Sequence, residues 1–227
     1  MRALVRRVKN RIRKLITPSH QSRPVEVRYV AGLVRLYDEV LDVPGHVIEI
    51  GTGSGRNALI FGELIMASGQ SDFRRYYGFD TFRGYTTEDI ESSPHLDPSA
   101  HIYSKVETEG RIRDAGLTDL CCLYEGDAPE TLSKFVQSPP PGVKFQPLKL
   151  RVSLLYIDCN AYRATRRALE VLGPFLSPGA IVAIDETIQG GETQALEEWC
   201  EQEGYDIQAG RFGSVISAFT RLPKSRF

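Results

Sequence analysis

The chain has 227 residues, 41 % of them hydrophobic and 25 % charged, which suffices to bury one full core in a single domain. No stretch approaches the roughly 20 apolar residues that span a bilayer, and the opening MRALVRRVKNRIRKLI lacks the apolar core and cleavage site of a secretory signal, so a cytoplasmic protein is expected. The net charge of −1 hides an asymmetry, because residues 1–16 carry seven basic groups and no acid, leaving 21 basic against 29 acidic groups elsewhere, a net −8 that argues against nucleic acid as the main partner.

Within residues 1–16, Leu4, Val8, Ile12 and Leu15 recur at helical spacing, which predicts a basic amphipathic helix. Two destinations stay open for it: an anionic membrane surface or acidic partner, and the body of the protein or a second subunit in a homodimer. After Pro18 and Pro24, a second helix is predicted over 25–41, with Val30, Leu33, Val34, Tyr37, Val40 and Leu41 on one face. "DVPG" at 42–45 ends it.

From there apolar runs alternate with helical patterns. The predicted strands are HVIEI (46–50), YYGF (76–79), LCCLY (120–124), VSLLYI (152–157) and AIVAI (180–184). Helices are predicted near 55–68, 104–116, 128–137, 161–173 and 191–203, with Trp199 as a core residue of the last. Such alternation means βαβ units and a parallel sheet covered on both faces. YDIQA and SVISAFT around "GRFG" predict a closing antiparallel pair, and SPPPGVKFQP (138–147) a surface loop. The fold class is therefore α/β: a doubly wound, Rossmann-like, mostly parallel sheet with an antiparallel C-terminal pair and N-terminal helices. Residues 1–45 form the helical N-terminal region and 46–227 the domain. Cys121, Cys122, Cys159 and Cys200 lack metal-type spacing and read as reduced thiols.

In a doubly wound sheet the ligand sits beyond the carboxyl ends of the strands. Those exits carry Glu49 with a glycine turn, Asp80, Gly126–Asp127, Asp158–Cys159–Asn160 and Asp185–Glu186, an acid at every one of the five. Asp is common after strands as a turn residue or helix cap, which accounts for some of these but not for all five together. The turn reads Gly51-x-Gly53-x-Gly55 with Arg56 in the sixth position. A dinucleotide fingerprint needs a small residue there, and a phosphate-binding P-loop needs Gly-Lys-Ser/Thr. A nucleoside without phosphates remains. Asp80, 25 residues after Gly55, suits its ribose diol, since a carboxylate accepts two charge-assisted bonds.

These residues carry a resemblance. "EIGTGSG" with its downstream acid resembles motif I of class I S-adenosylmethionine-dependent methyltransferases. "YYGFDTFRGY", "YEGDAPETL", "LLYIDCNAYRATRRALEVLGPFLSPGAIVAIDE" and "GGETQALEEW" resemble, in order, blocks of the macrocin-type (TylF-like) sugar O-methyltransferases, across about residues 46–203. The resemblance implies S-adenosylmethionine at Glu49, Gly51, Thr52, Gly53, Ser54, Gly55, Asp80, Thr81, Gly126, Asp127 and Asp158, with the ribose on Asp80 and the adenine near Gly126 and Asp127. It implies a small-molecule or carbohydrate acceptor and a homodimer. It also implies a divalent metal such as Mg²⁺ on Asp158, Asn160, Asp185 and Glu186, all hard oxygen donors.

Two positions depart from the family pattern, which has Asp where Asn160 and Glu186 stand. Asn still offers a carbonyl oxygen but removes a charge, so weaker metal affinity is expected. Two neighbouring carboxylates without a cation repel, and one pKa rises. Asp158 is thus a candidate both for metal ligand and for general base. His95 and His101, in the polar stretch 86–103, are further candidates for the base, against the plainer reading as exposed loop histidines. Two other functions stay in view: a catechol-type O-methyltransferase, and a non-catalytic module of the same fold tethered by its basic helix.

Overall fold

The computed structural model describes residues 24–138, 150–185, 190–209, 212 and 216–224. The basic stretch 1–16, most of the Pro-rich loop, Glu186 and most of "GRFG" lie outside them. In chain order the elements are α1 (Pro24–Glu39), β1 (His46–Ile50), α2 (Arg56–Ala67), β2 (Tyr76–Asp80), α3 (Thr87–Ser92), α4 (Lys105–Asp114), β3 (Cys121–Glu125) and α5 (Ala128–Gln137). There follow β4 (Val152–Ile157), α6 (Tyr162–Leu172), a short 3₁₀ turn, β5 (Leu176–Ile184), α7 (Gly191–Glu203), β6 (Ile207–Ala209) and β7 (Ala218–Arg221). No helix among the described residues is long and apolar enough to cross a membrane.

The strands form one sheet in the order β3-β2-β1-β4-β5-β7-β6, parallel except for β7, which runs antiparallel to both β5 and β6. β1 and β4 are buried along their whole length, as a central parallel strand must be, and β3 at the edge is half-exposed. Phe61 of α2 packs against Tyr76 and Tyr156, with ring centroids 6.2 and 6.0 Å apart. Tyr77, Phe79, Tyr124 and Phe135 form a second aromatic cluster under α5. Each such pair adds about 0.5–1.5 kcal/mol beyond the area it buries.

The register aligns the site. Phe79, Ile50, Ile157 and Ile184 stand side by side across β2, β1, β4 and β5. The next residue on each strand is therefore Asp80, Gly51, Asp158 and Asp185, a row along one edge of the sheet. The order reverses between β1 and β4, so the row straddles the switch point.

Within the described residues the predicted elements recur to within a few residues, with two additions. β5 starts at Leu176, before the predicted 180, and a register shift between Val152 and Leu154 absorbs the extra "LSPG". Helix α3 lies inside the polar stretch 86–103. Its start is a capping box: Asp89 N–H donates to Thr86 Oγ1 and Thr86 N–H to Asp89 Oδ2.

Candidate active site

β1 delivers the chain into a turn that only glycine can make. Gly51 has φ of +92°, and a Cβ there would lie 2.0 Å from the carbonyl oxygen of Asp158, forcing the β1 and β4 exits apart. Gly55, at φ +79°, caps α2, and a Cβ there would meet the Thr108 methyl at 2.6 Å. The backbone of the turn thus lies bare at the switch point. Asp80 faces it. Its Oδ2 accepts from Gly53 N at 2.7 Å and its Oδ1 from Phe82 N at 2.6 Å. Each oxygen keeps a further lone pair for a ligand hydroxyl. Burial raises the Asp80 pKa against the pull of those two bonds.

Beneath the turn runs a buried polar chain. The fully buried Glu49 accepts from Asn57 Nδ2 at 2.6 Å and from the Tyr76 hydroxyl. Tyr76 also meets Thr52 Oγ1 at 3.2 Å, in a space that opens because Gly78 has no side chain. Asn57 Nδ2 reaches Asp158 Oδ2 at 3.5 Å, and Asn57 Oδ1 accepts from the Tyr29 hydroxyl at 2.7 Å. Arg56 lies over the Tyr29 ring, its guanidinium carbon 3.7 Å from the centroid. Helix α1 is therefore tied into the site through Tyr29. Burial pushes the Glu49 carboxyl up to about 7, outweighing the hydrogen bonds that favour its charge.

Asp158 and Asp185 stand on adjacent strand ends, their N–H groups donating to Ile50 O at 2.8 Å and Ile157 O at 3.0 Å. The two acids influence each other's ionisation. Burial, then the neighbouring Asp185 charge, pushes Asp158 well above the usual carboxylate range. Asp185 is raised by burial, while Asp158 and the Arg56 charge pull the other way.

The opposite wall comes from residues 81–104. Tyr85 accepts from Asn160 Nδ2 at 3.2 Å, and its ring meets that of His101 edge-on at 5.5 Å. Tyr103 follows His101 at 6.3 Å and covers Gly53, where a Cβ would lie 3.0 Å from its ring. Arg163 of α6 straps this wall to the sheet: Nη2 donates to Asp127 Oδ2 at 2.7 Å and Thr86 Oγ1 at 3.0 Å, and Nε lies 3.3 Å from Asp89 Oδ1. Among the described residues, the non-glycine residues with left-handed backbone are Phe82, His101 and Asn160. All three sit in segments that wall the cleft, where such strain tends to gather. The cleft between these walls has a volume of about 280 Å³.

A family model described as a methyltransferase domain matches residues 48–187, from β1 through the acids after β5. The chain belongs to this methyltransferase family. Its fold is that of the class I S-adenosylmethionine-dependent enzymes. Among solved structures the methyltransferase is similar to CalS11, a calicheamicin methyltransferase, at 22 % identity and a TM-score of 0.72 over 96 % of this chain and 91 % of that one. An apo structure of CalS11, there described as a TDP-rhamnose 3′-O-methyltransferase, aligns at 23 % identity and TM-score 0.66 over 94 % and 92 %. The O-methyltransferase NovP aligns at 18 % and 0.71 over 87 % and 81 %. TomG from Streptomyces achromogenes, an O-methyltransferase in complex with S-adenosylmethionine, aligns at 14 % and 0.53 over 98 % and 90 %. No curated protein gives a significant sequence match.

The methyltransferase cleft gathers most of the residues singled out in the sequence. Gly51, Thr52, Gly53, Ser54, Asp80, Thr81, Gly126, Asp127, Asp158, Asn160, Asp185 and His101 line it. Gly55 caps α2 behind the turn, and Glu49 lies under it rather than on the wall. His95 is exposed on the loop after α3 and does not line the cleft. Glu186 lies outside the described residues, among which no group of three or more His, Cys, Asp or Glu side chains is arranged to hold a metal. The four cysteines are free. Sequence reasoning missed Tyr29, Asn57, Tyr85, Tyr103 and Arg163. None of these left a signal of its own; the partners of Arg163, Thr86 and Asp89, did, in the capping-box spacing of "TTED".

Proposed function

We propose that this methyltransferase moves the methyl group of S-adenosylmethionine to a sugar hydroxyl. The observation that carries the reading is that Asp158 and Asp185, on adjacent strand ends, line the same cleft as the glycine turn and Asp80. The donor supplies an electrophilic methyl on a sulfonium, open to in-line displacement by an oxygen nucleophile. In this reading Asp80 accepts the ribose hydroxyls through its free lone pairs, and Gly126 and Asp127 flank the adenine. The turn holds the methionine end near Asp158.

A sugar hydroxyl is a poor nucleophile near neutral pH and must lose its proton as its oxygen bonds to the methyl carbon. The ionised member of the Asp158–Asp185 pair takes that proton, while the carbon–sulfur bond breaks and sulfur leaves as a neutral thioether. Asn160 cannot act as a base, but its amide oxygen can accept from, and so orient, an acceptor hydroxyl. Holding the oxygen in line with the methyl group is itself a large part of the rate. The donor set also fits a hard divalent cation, because its oxygens are hard donors and a cation would offset the Asp185 charge that helps to raise Asp158. Asp158, Asp185, the Asn160 oxygen and Glu186 would hold Mg²⁺, which would lower the hydroxyl pKa.

CalS11, described as acting on TDP-rhamnose, supports a sugar acceptor. The Tyr85, His101 and Tyr103 rings favour a second reading, a catechol-type acceptor stacked on them. Transfer of radiolabelled methyl separates the two: turnover of TDP-rhamnose and not of catechol supports the sugar reading, and the reverse replaces it. The stretch 1–16 we assign to contact with the body of the protein or with a second copy of the chain, with an anionic membrane as the alternative that a vesicle-binding assay reads.

A further inference from the structure

We propose that Glu192 is a positioning residue of this site, holding the Asp158–Asn160 loop in its left-handed turn so that the Asn160 side chain stays on the cleft wall. The inference rests on the methyl-transfer reading above. Glu192 lies in the first turn of α7 and is fully buried, an expensive place for a carboxyl group unless it is bonded. Its Oε1 accepts two successive backbone N–H groups, Cys159 at 2.6 Å and Asn160. Successive N–H groups that converge in this way form a concavity for an anion. Here the anion is a side chain of the protein's own.

The arrangement fixes a strained residue. Asn160 has φ of +57°, a region an L-residue occupies only when its surroundings hold it there. With its backbone clamped by Glu192, its Nδ2 donates to Tyr85 at 3.2 Å and the side chain lines the cleft beside Asp158. The loop is anchored at both flanks as well, by Asp158 N to Ile50 O at 2.8 Å and by Tyr162 N to Ser93 Oγ at 3.1 Å. Glu192 reaches the loop because the residue before it is glycine. A Cβ on Gly191 would lie 2.2 Å from Tyr162 N, so any other residue would push α7 away from the β4 exit. Gly191 and Glu192 therefore act together, one allowing the approach and the other making the bonds.

The test compares Glu192→Gln with Glu192→Leu in the full chain. Gln keeps an oxygen that accepts both N–H groups, whereas Leu leaves them without an acceptor. Three quantities are read: S-adenosylhomocysteine affinity, exchange of the Cys159 and Asn160 amides, and methyl transfer to TDP-rhamnose. Glu192→Leu should hold S-adenosylhomocysteine affinity within about threefold, since the turn and Asp80 are untouched. Its two amides should exchange about 30-fold faster or more. Its kcat should fall about 100-fold with the KM for S-adenosylmethionine nearly unchanged, as expected for a misplaced group rather than lost binding. Glu192→Gln should restore all three. If Glu192→Leu does not fold, Asn160→Ala carries the same kcat prediction. Amides that stay protected in Glu192→Leu, an unchanged kcat, or a Gln variant that fails like Leu would each overturn the proposal. If the native protein binds S-adenosylhomocysteine but does not turn over TDP-rhamnose, the sugar reading fails and amide exchange alone decides the role of Glu192. If it binds no S-adenosylhomocysteine, the methyl-transfer reading falls, and this proposal with it.

Discussion

Replacing Glu49 with Gln should change how stability depends on pH more than it changes stability itself. The Glu49 carboxyl is fully buried, and its pKa stands at about 7 against an ordinary 4.5. The folded-state value lies above the unfolded one, so between these limits the folded protein keeps a proton that the unfolded chain releases. The resulting stabilisation is fully present below about pH 4.5 and is lost as pH climbs toward about 7. At about 1.4 kcal/mol for each unit of pKa, the loss is about 3 kcal/mol. Gln mimics the protonated acid, with an oxygen for Asn57 Nδ2 and an N–H for the Tyr76 oxygen, but it cannot ionise. Relative to the native protein, Glu49→Gln should therefore gain about 3 kcal/mol between about pH 5 and about pH 8. The native curve alone would hide this, because buried His46 works in the opposite direction. Its pKa is lowered from 6.5 to about 4, so the stability it contributes is present above 6.5 and lost as pH falls. Urea unfolding of both proteins across this range gives the difference directly. A difference that stays flat within about 0.5 kcal/mol would refute a raised Glu49 pKa.

Three further outcomes follow from the same geometry. Tyr29→Phe leaves Asn57 Oδ1 buried without its donor and should cost about 1–3 kcal/mol in urea unfolding; a cost near zero would mean that α1 is not tied to the site. Asp80→Ala should weaken S-adenosylhomocysteine binding about 10- to 100-fold by calorimetry, the range of hydrogen bonds to a charged group, and unchanged affinity would put the ribose elsewhere. Asp185→Ala should leave that affinity intact while removing methyl transfer and any stimulation by Mg²⁺, and a fully active variant would end the acid-pair mechanism.

The fold was legible in the sequence because its signals are local. Continuous apolar runs such as VSLLYI leave no face for water, and the breakers between them set the alternation. The row Asp80, Gly51, Asp158 and Asp185 was legible too, since a parallel register brings strand exits level whatever the side chains. What escaped depends on distant pairings. Tyr29 sits 28 residues from Asn57, and Arg163 sits 36 from Asp127 and 77 from Thr86, spacings that carry no periodic signal. Glu49 was read as part of the ligand wall, because sequence places it beside the turn. Only packing shows that Tyr76 and Asn57 close over its carboxylate.

Thermal unfolding with S-adenosylhomocysteine, in Mg²⁺ and again in EDTA, tests the central claim most directly. At about 100 times its Kd the ligand adds about 2.7 kcal/mol, which for a chain of this size raises Tm by about 5–10 °C. A rise of that order is the predicted result, with a further Mg²⁺-dependent rise if the acid pair holds a cation. No rise in either condition would contradict the claim that the cleft at the Gly51–Gly55 turn holds a nucleoside methyl donor.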